Sequence, residues 1–75
     1  MIGEAQARIM VFISEFIEEN GWSPTIREIQ AALGYASPST VYTHLERLRL
    51  LGYLEGTGRR LRLGWRAKGQ DAGVG

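Results

Sequence analysis

The sequence has no cysteine, one histidine, one lysine and two prolines in 75 residues. Without cysteine there is neither a disulfide framework nor a thiolate metal site, a usage compatible with a reducing cytoplasm, where we expect the chain. A single histidine, His44, cannot make a structural zinc site, so neither metal nor cofactor is expected. Long apolar runs are also missing. The longest, such as 9–13, falls far short of the ~18–20 residues of a membrane span, so no membrane is expected, and no charged start followed by an apolar run reads as a signal peptide. Nucleophile chemistry is poorly supplied too. Ser14, Ser23, Ser37 and Ser39 have no evident base partner, since the one lysine is Lys68 and His44 stands on a helix flank, so the chain reads as a non-enzyme.

A strong net charge is absent as well: the balance is +1. With 44% apolar residues the composition is that of a folded protein and not of a disordered one. The length allows one domain, and a chain this short buries only roughly 60% of its unfolded surface. We assign that domain to residues 1–66 and a glycine-rich flexible tail to 67–75. Charge is unevenly distributed. Residues 1–34 hold two cations, Arg8 and Arg27, against five acids, a net of −3. Residues 35–75 hold seven cations against three acids, a net of +4. The second half is thus either an electrostatic footprint for nucleic acid or a solvated basic face.

Periodicity gives three helices. Ile9, Phe12, Ile13, Phe16 and Ile17 recur at helical spacing within a helix expected over 4–20, and Asn20-Gly21 supplies its stop. Thr25 and Glu28 form a capping box for a short second helix, 26–33, ended by Gly34. Ser37 at N-cap and Pro38 at N1 start a third helix that runs to about Leu51 and stops at Gly52. Two helices meeting across a turn of about four residues that opens with glycine are a helix-turn-helix pattern. After Gly52 the period changes to two. Residues 53–55 and 60–63 read as short strands around a Gly56-Thr57-Gly58-Arg59 tip, with Leu61 and Leu63 alternating with Arg60 and Arg62. The expected fold is therefore mainly α with a small β-hairpin: a three-helix winged helix-turn-helix.

The third helix carries the candidate function. At about 100° per residue, Leu45 and Leu48 fall within roughly 40° of Val41, while Ser39 and Thr43 fall about 160° from it. Ser39, Thr43 and Arg47, with Thr40 and Tyr42 on the flanks, make a face of small hydroxyls and a few longer side chains. A helix that lies in a major groove needs such a face. The amide groups near Ser37, Ser39 and Thr40 suit a phosphate. Arg59 and Arg60 at the wing are expected to reach the DNA backbone or a minor groove. Leu50 points outward beside Leu51; it either lies under the wing or marks a protein contact. Trp65 is expected to clasp the core.

These residues also carry a resemblance. Ser23-Pro24-Thr25-Ile26-Arg27-Glu28-Ile29, Leu33-Gly34-Tyr35-Ala36-Ser37, Ser39-Thr40-Val41 and His44-Leu45-Glu46-Arg47-Leu48 resemble the DNA-binding domain of the LexA repressors, in particular the Gram-positive type, over about residues 4–63. The resemblance implies a winged helix-turn-helix that binds inverted-repeat operators and represses genes of the SOS response to DNA damage. By position it implies Ser37, Ser39, Thr40, Tyr42, Thr43 and Arg47 as the DNA-reading set. The sequence departs from the family at Tyr42-Thr43, at Leu50-Leu51, in a shorter wing, and in lacking the second domain with its Ser–Lys self-cleavage dyad and dimer contact. Ala72-Gly73 is similar to the family's scissile dipeptide. The chain is thus expected to be an excised domain or a stand-alone small regulator, and a monomer that pairs only on DNA. The competing reading is a winged-helix protein-interaction module that acts on the transcription machinery without reading DNA, with Leu50 and Leu51 as its contact.

Overall fold

The computed structural model describes residues 3–67. Three helices, α1 (Glu4–Asn20), α2 (Ile26–Leu33) and α3 (Pro38–Leu50), precede a two-stranded antiparallel sheet, β1 (Leu54–Glu55) and β2 (Arg62–Leu63). Leu54 pairs with Leu63 and Glu55 with Arg62. Among the described residues no helix is long and apolar enough to cross a membrane.

Each helix starts and stops for a local reason. The Thr25 hydroxyl accepts from the Glu28 amide at 3.3 Å while the Glu28 carboxylate accepts from the Thr25 amide at 2.8 Å, so two otherwise orphaned donors are satisfied at the start of α2. Gly34 closes α2 in the left-handed region, with φ of 77°. Three residues later the Ser37 hydroxyl accepts from the Ser39 amide at 3.1 Å and opens α3 with Pro38 behind it. The helix-turn-helix read from the sequence is thus present with its expected bounds, save that α3 ends at Leu50 and Leu51 caps it.

The core lies where the three helices meet the sheet. Ile9 and Ile13 of α1, Ile29 of α2, Val41, Leu45 and Leu48 of α3, and Leu54 and Leu61 of the wing are all buried. Met10, Phe12, Ile17, Ile26, Leu33, Tyr35 and Tyr53 pack around them, half-buried. Burial of each large aliphatic side chain is worth about 1.5–3 kcal/mol, so α3 is held by its Val41, Leu45, Leu48 stripe and its opposite face is left free.

The wing differs from the sequence expectation. Residues 60–63 do not form one strand, because Gly58–Arg60 make a turn of 3-10 helix and β2 begins at Arg62. The cause is a buried hydroxyl. Ser23 has no exposed surface; its Oγ donates to the Gly58 carbonyl at 2.6 Å and accepts from the Leu61 amide at 3.1 Å. The chain is thereby drawn inward before β2, and Leu61 is buried while Arg60 stays exposed.

Two other expectations are corrected. Leu50 does not lie under the wing: it is 86% exposed, one residue before the cap of α3. Trp65 does not clasp the core. Its indole lies against Gly52, where a Cβ would fall 2.6 Å from the ring, the side chain is largely exposed, and the Arg66 guanidinium stands 5.2 Å from the ring centre. Residues 65–67 are helical, and the expected tail beyond them, Ala72-Gly73 included, lies outside the described residues.

Candidate nucleic-acid interface

The outer face of α3 is open along its length. Ser39, Thr40, Tyr42, Thr43 and Arg47 are all exposed, opposite the buried stripe. Its hydroxyls are ordered by the helix itself. Ser37 and Ser39 share a hydrogen bond between their Oγ atoms at 2.7 Å. Thr43 donates its hydroxyl proton to the Ser39 carbonyl at 3.0 Å. That leaves Thr43 with lone pairs and a methyl group to present outward, which can accept from a base amino group or lie against a thymine methyl.

Some of the charged side chains of α3 and the wing are paired with one another and others are not. Glu46 is paired with Arg49 one turn on, and Glu55 with Arg62 across the sheet, while Glu4 borders the depression that Thr43 and Arg47 line. Among the described residues Arg27, Arg47 and Arg60 form no ion pair, and all three are exposed. Exposed pairs of this kind add little stability. Their effect is electrostatic: two carboxylates are neutralised while three guanidinium groups stay available.

Arg59, expected at the DNA, is engaged within the protein. Its guanidinium forks onto Glu28 of α2, with Nη1 at 3.2 Å from Oε1 and Nη2 at 3.1 Å from Oε2. The Thr25 amide, together with the Arg59 guanidinium, holds the Glu28 carboxyl below the usual carboxylate range. Arg60 alone of the two wing arginines is a free cation among the described residues.

A cleft of about 430 Å³ separates α3 from the wing. Arg27, Tyr42, Arg49, Thr57 and Gly58 stand on its rim and Leu45 and Leu61 at its floor. Tyr42 and Arg47 therefore face different ground, Tyr42 toward the wing and Arg47 toward the start of α1, where it borders Gln6 and His44. Sequence reasoning missed Arg27 and Thr57, which reach this cleft only through the packing of α2 and the wing on α3. The one sign of Arg27 in the sequence is its place inside the capping-box segment.

A family model described as the LexA DNA binding domain matches residues 1–62. The LexA repressor of Carboxydothermus hydrogenoformans is 44% identical over 55 residues, covering 73% of this chain and 27% of that protein. That of Acetivibrio thermocellus is 46% identical over 54 residues, 72% of this chain and 25% of the relative. LexA repressor 1 of Pseudomonas putida is 40% identical over 73 residues, 92% of this chain and 36% of the relative. The chain thus spans about a quarter to a third of the length of these relatives.

Proposed function

The chain belongs to the family of LexA DNA-binding domains, and on that premise we propose that it binds duplex DNA by α3 and the wing, as the operator-reading part of a transcriptional repressor. The observation that carries the proposal is the unbroken exposed face of Ser39, Thr40, Thr43 and Arg47, which the core has no use for. In this reading α3 lies in the major groove, Ser39 and Thr43 meet base edges, and Tyr42 reads from the flank. The start of α3 with its helix dipole, and Arg47, Arg60 and Arg27, hold phosphates. The target is an inverted repeat, each half taken by one copy. The activity proposed for this domain is binding. A protein-interaction module that ignores DNA is not favoured by the family match.

Selection of bound duplexes from a random pool, followed by salt titration of the winners, tests the proposal. The expected result is a two-fold symmetric consensus whose affinity falls linearly on a log–log plot against salt. Recovery of no consensus, with binding indifferent to salt, would overturn it.

A further inference from the structure

The turn before β2 is fastened to the start of α2 and the connector before it by several bonds. Ser23 reaches it three ways: its amide donates to the Arg59 carbonyl at 3.3 Å, and its hydroxyl bonds to Gly58 and Leu61. Arg59 then returns the contact, forking onto Glu28 and touching the Ser23 carbonyl at 3.5 Å. Glu28 is itself fixed, because Oε1 also accepts from the Thr25 amide. Thus 58–60 is locked to the first turn of α2 by backbone, hydroxyl and charge together. The next residue, Arg60, is exposed and free of any ion pair among the described residues.

We propose that Arg59 is a positioning residue, which through Glu28 sets where the wing places Arg60 on the DNA backbone, and is not itself a phosphate contact. The proposal rests on the DNA-binding reading above. Two physical arguments carry it. A guanidinium already forked onto a carboxylate must give up that pair to take a phosphate, and the carboxylate left behind would repel the same phosphate. The pair is also about half exposed, at 49% and 40%, so it contributes little to stability while its two-point geometry fixes direction.

The test uses E28Q, R59M, E28Q/R59M, R60A and E28Q/R60A, with duplex binding measured against salt. Glutamine at position 28 keeps the capping box, so α2 retains its start. E28Q and R59M are expected to weaken binding by the same factor, about two- to fivefold, with the double variant no weaker than either. R60A should cost about one unit of salt slope in the wild-type background, and less when Glu28 is already Gln. A purely stabilising role would leave the R60A loss intact in E28Q, and that result overturns the proposal. So does E28Q binding as tightly as wild type while R59M alone flattens the slope, since Arg59 would then be the phosphate contact. Failure of the wild-type chain to bind any duplex at low salt overturns the functional reading instead.

Discussion

Thr43 and Ser39 stand one turn apart on the open side of α3, joined by the bond from the Thr43 hydroxyl to the Ser39 carbonyl. Neither side chain supports the core, so removing both hydroxyls should leave the fold intact. S39A/T43A is expected to keep its melting temperature within a few degrees and to lose about 1–3 kcal/mol of discrimination for each base contact removed. Competition between the preferred duplex and a scrambled one measures this; unchanged preference would remove these two residues from the reading set. A different kind of residue decides the wing. Gly56 has φ of +84°, and a Cβ there would collide with the Arg60 carbonyl. Gly58, two residues on, has φ of +56° but open space around it. G58A should therefore cost only the left-handed backbone term, about 1–2 kcal/mol. G56A adds a clash with backbone, and overpacking of that kind costs about 1–3 kcal/mol more. Thermal unfolding of the two variants tests the order, and equal losses would show that the loop yields around Gly56 freely.

At the scale of elements, α2 is the part most dependent on its first turn. It has eight residues, too few to persist without tertiary contacts, and one buried side chain, Ile29. Its start is organised by Glu28, whose carboxylate serves the Thr25 amide and the Arg59 guanidinium at once. Because its folded pKa is lowered below the ordinary value near 4.5, the ionised form stabilises the fold above that value. The contribution is lost as pH falls through the unfolded and then the folded pKa. Wild type should melt higher than E28Q at neutral pH, and the gap should close below about pH 4.5. The two proteins differ at this one side chain, so the difference between their melting curves isolates it. A gap that persists unchanged in strong acid would show that the loss in E28Q comes from packing.

At the scale of the molecule, the large apolar side chains left exposed among the described residues are Val11, Trp22, Tyr42, Leu50 and Trp65. Val11 belongs to α1, Trp22 to the α1–α2 connector, Leu50 to the end of α3 and Trp65 to the stretch after β2. Stable subunit interfaces bury about 1,200–2,000 Å² in total, and these five side chains leave little apolar surface for one. We propose that the chain is monomeric in solution and pairs on DNA, where two copies on half-sites about one helical turn apart gain from high local concentration. Sedimentation at micromolar concentration should show a monomer, with cooperative binding appearing only on an inverted repeat. A dominant dimer without DNA would overturn this and make Leu50, at 86% exposure, the first side chain to replace.

Local signals were enough for much of this protein. The helix bounds follow from Thr25, Gly34, Ser37 and Pro38, because caps and the left-handed glycine act within four residues. The open face of α3 follows from the spacing of Val41, Leu45 and Leu48, because a helix of fixed pitch must put Ser39 and Thr43 opposite them. The wing was legible only in outline. Its alternation of Leu61 and Leu63 with arginines predicted a strand over 60–63, but the 3-10 turn at Gly58–Arg60 is set by Ser23, 35 residues earlier than Gly58 in the chain. The same separation hid the ion pair of Arg59: its partner Glu28 lies 31 residues away. Leu50 was ambiguous because exposure depends on whether another element covers it, and among the described residues none does. Periodicity and capping are properties of neighbouring residues and can be read along the chain. Which buried hydroxyl holds a turn, and which of two adjacent arginines is bound and which left free, is decided only when the wing folds back against the first turn of α2.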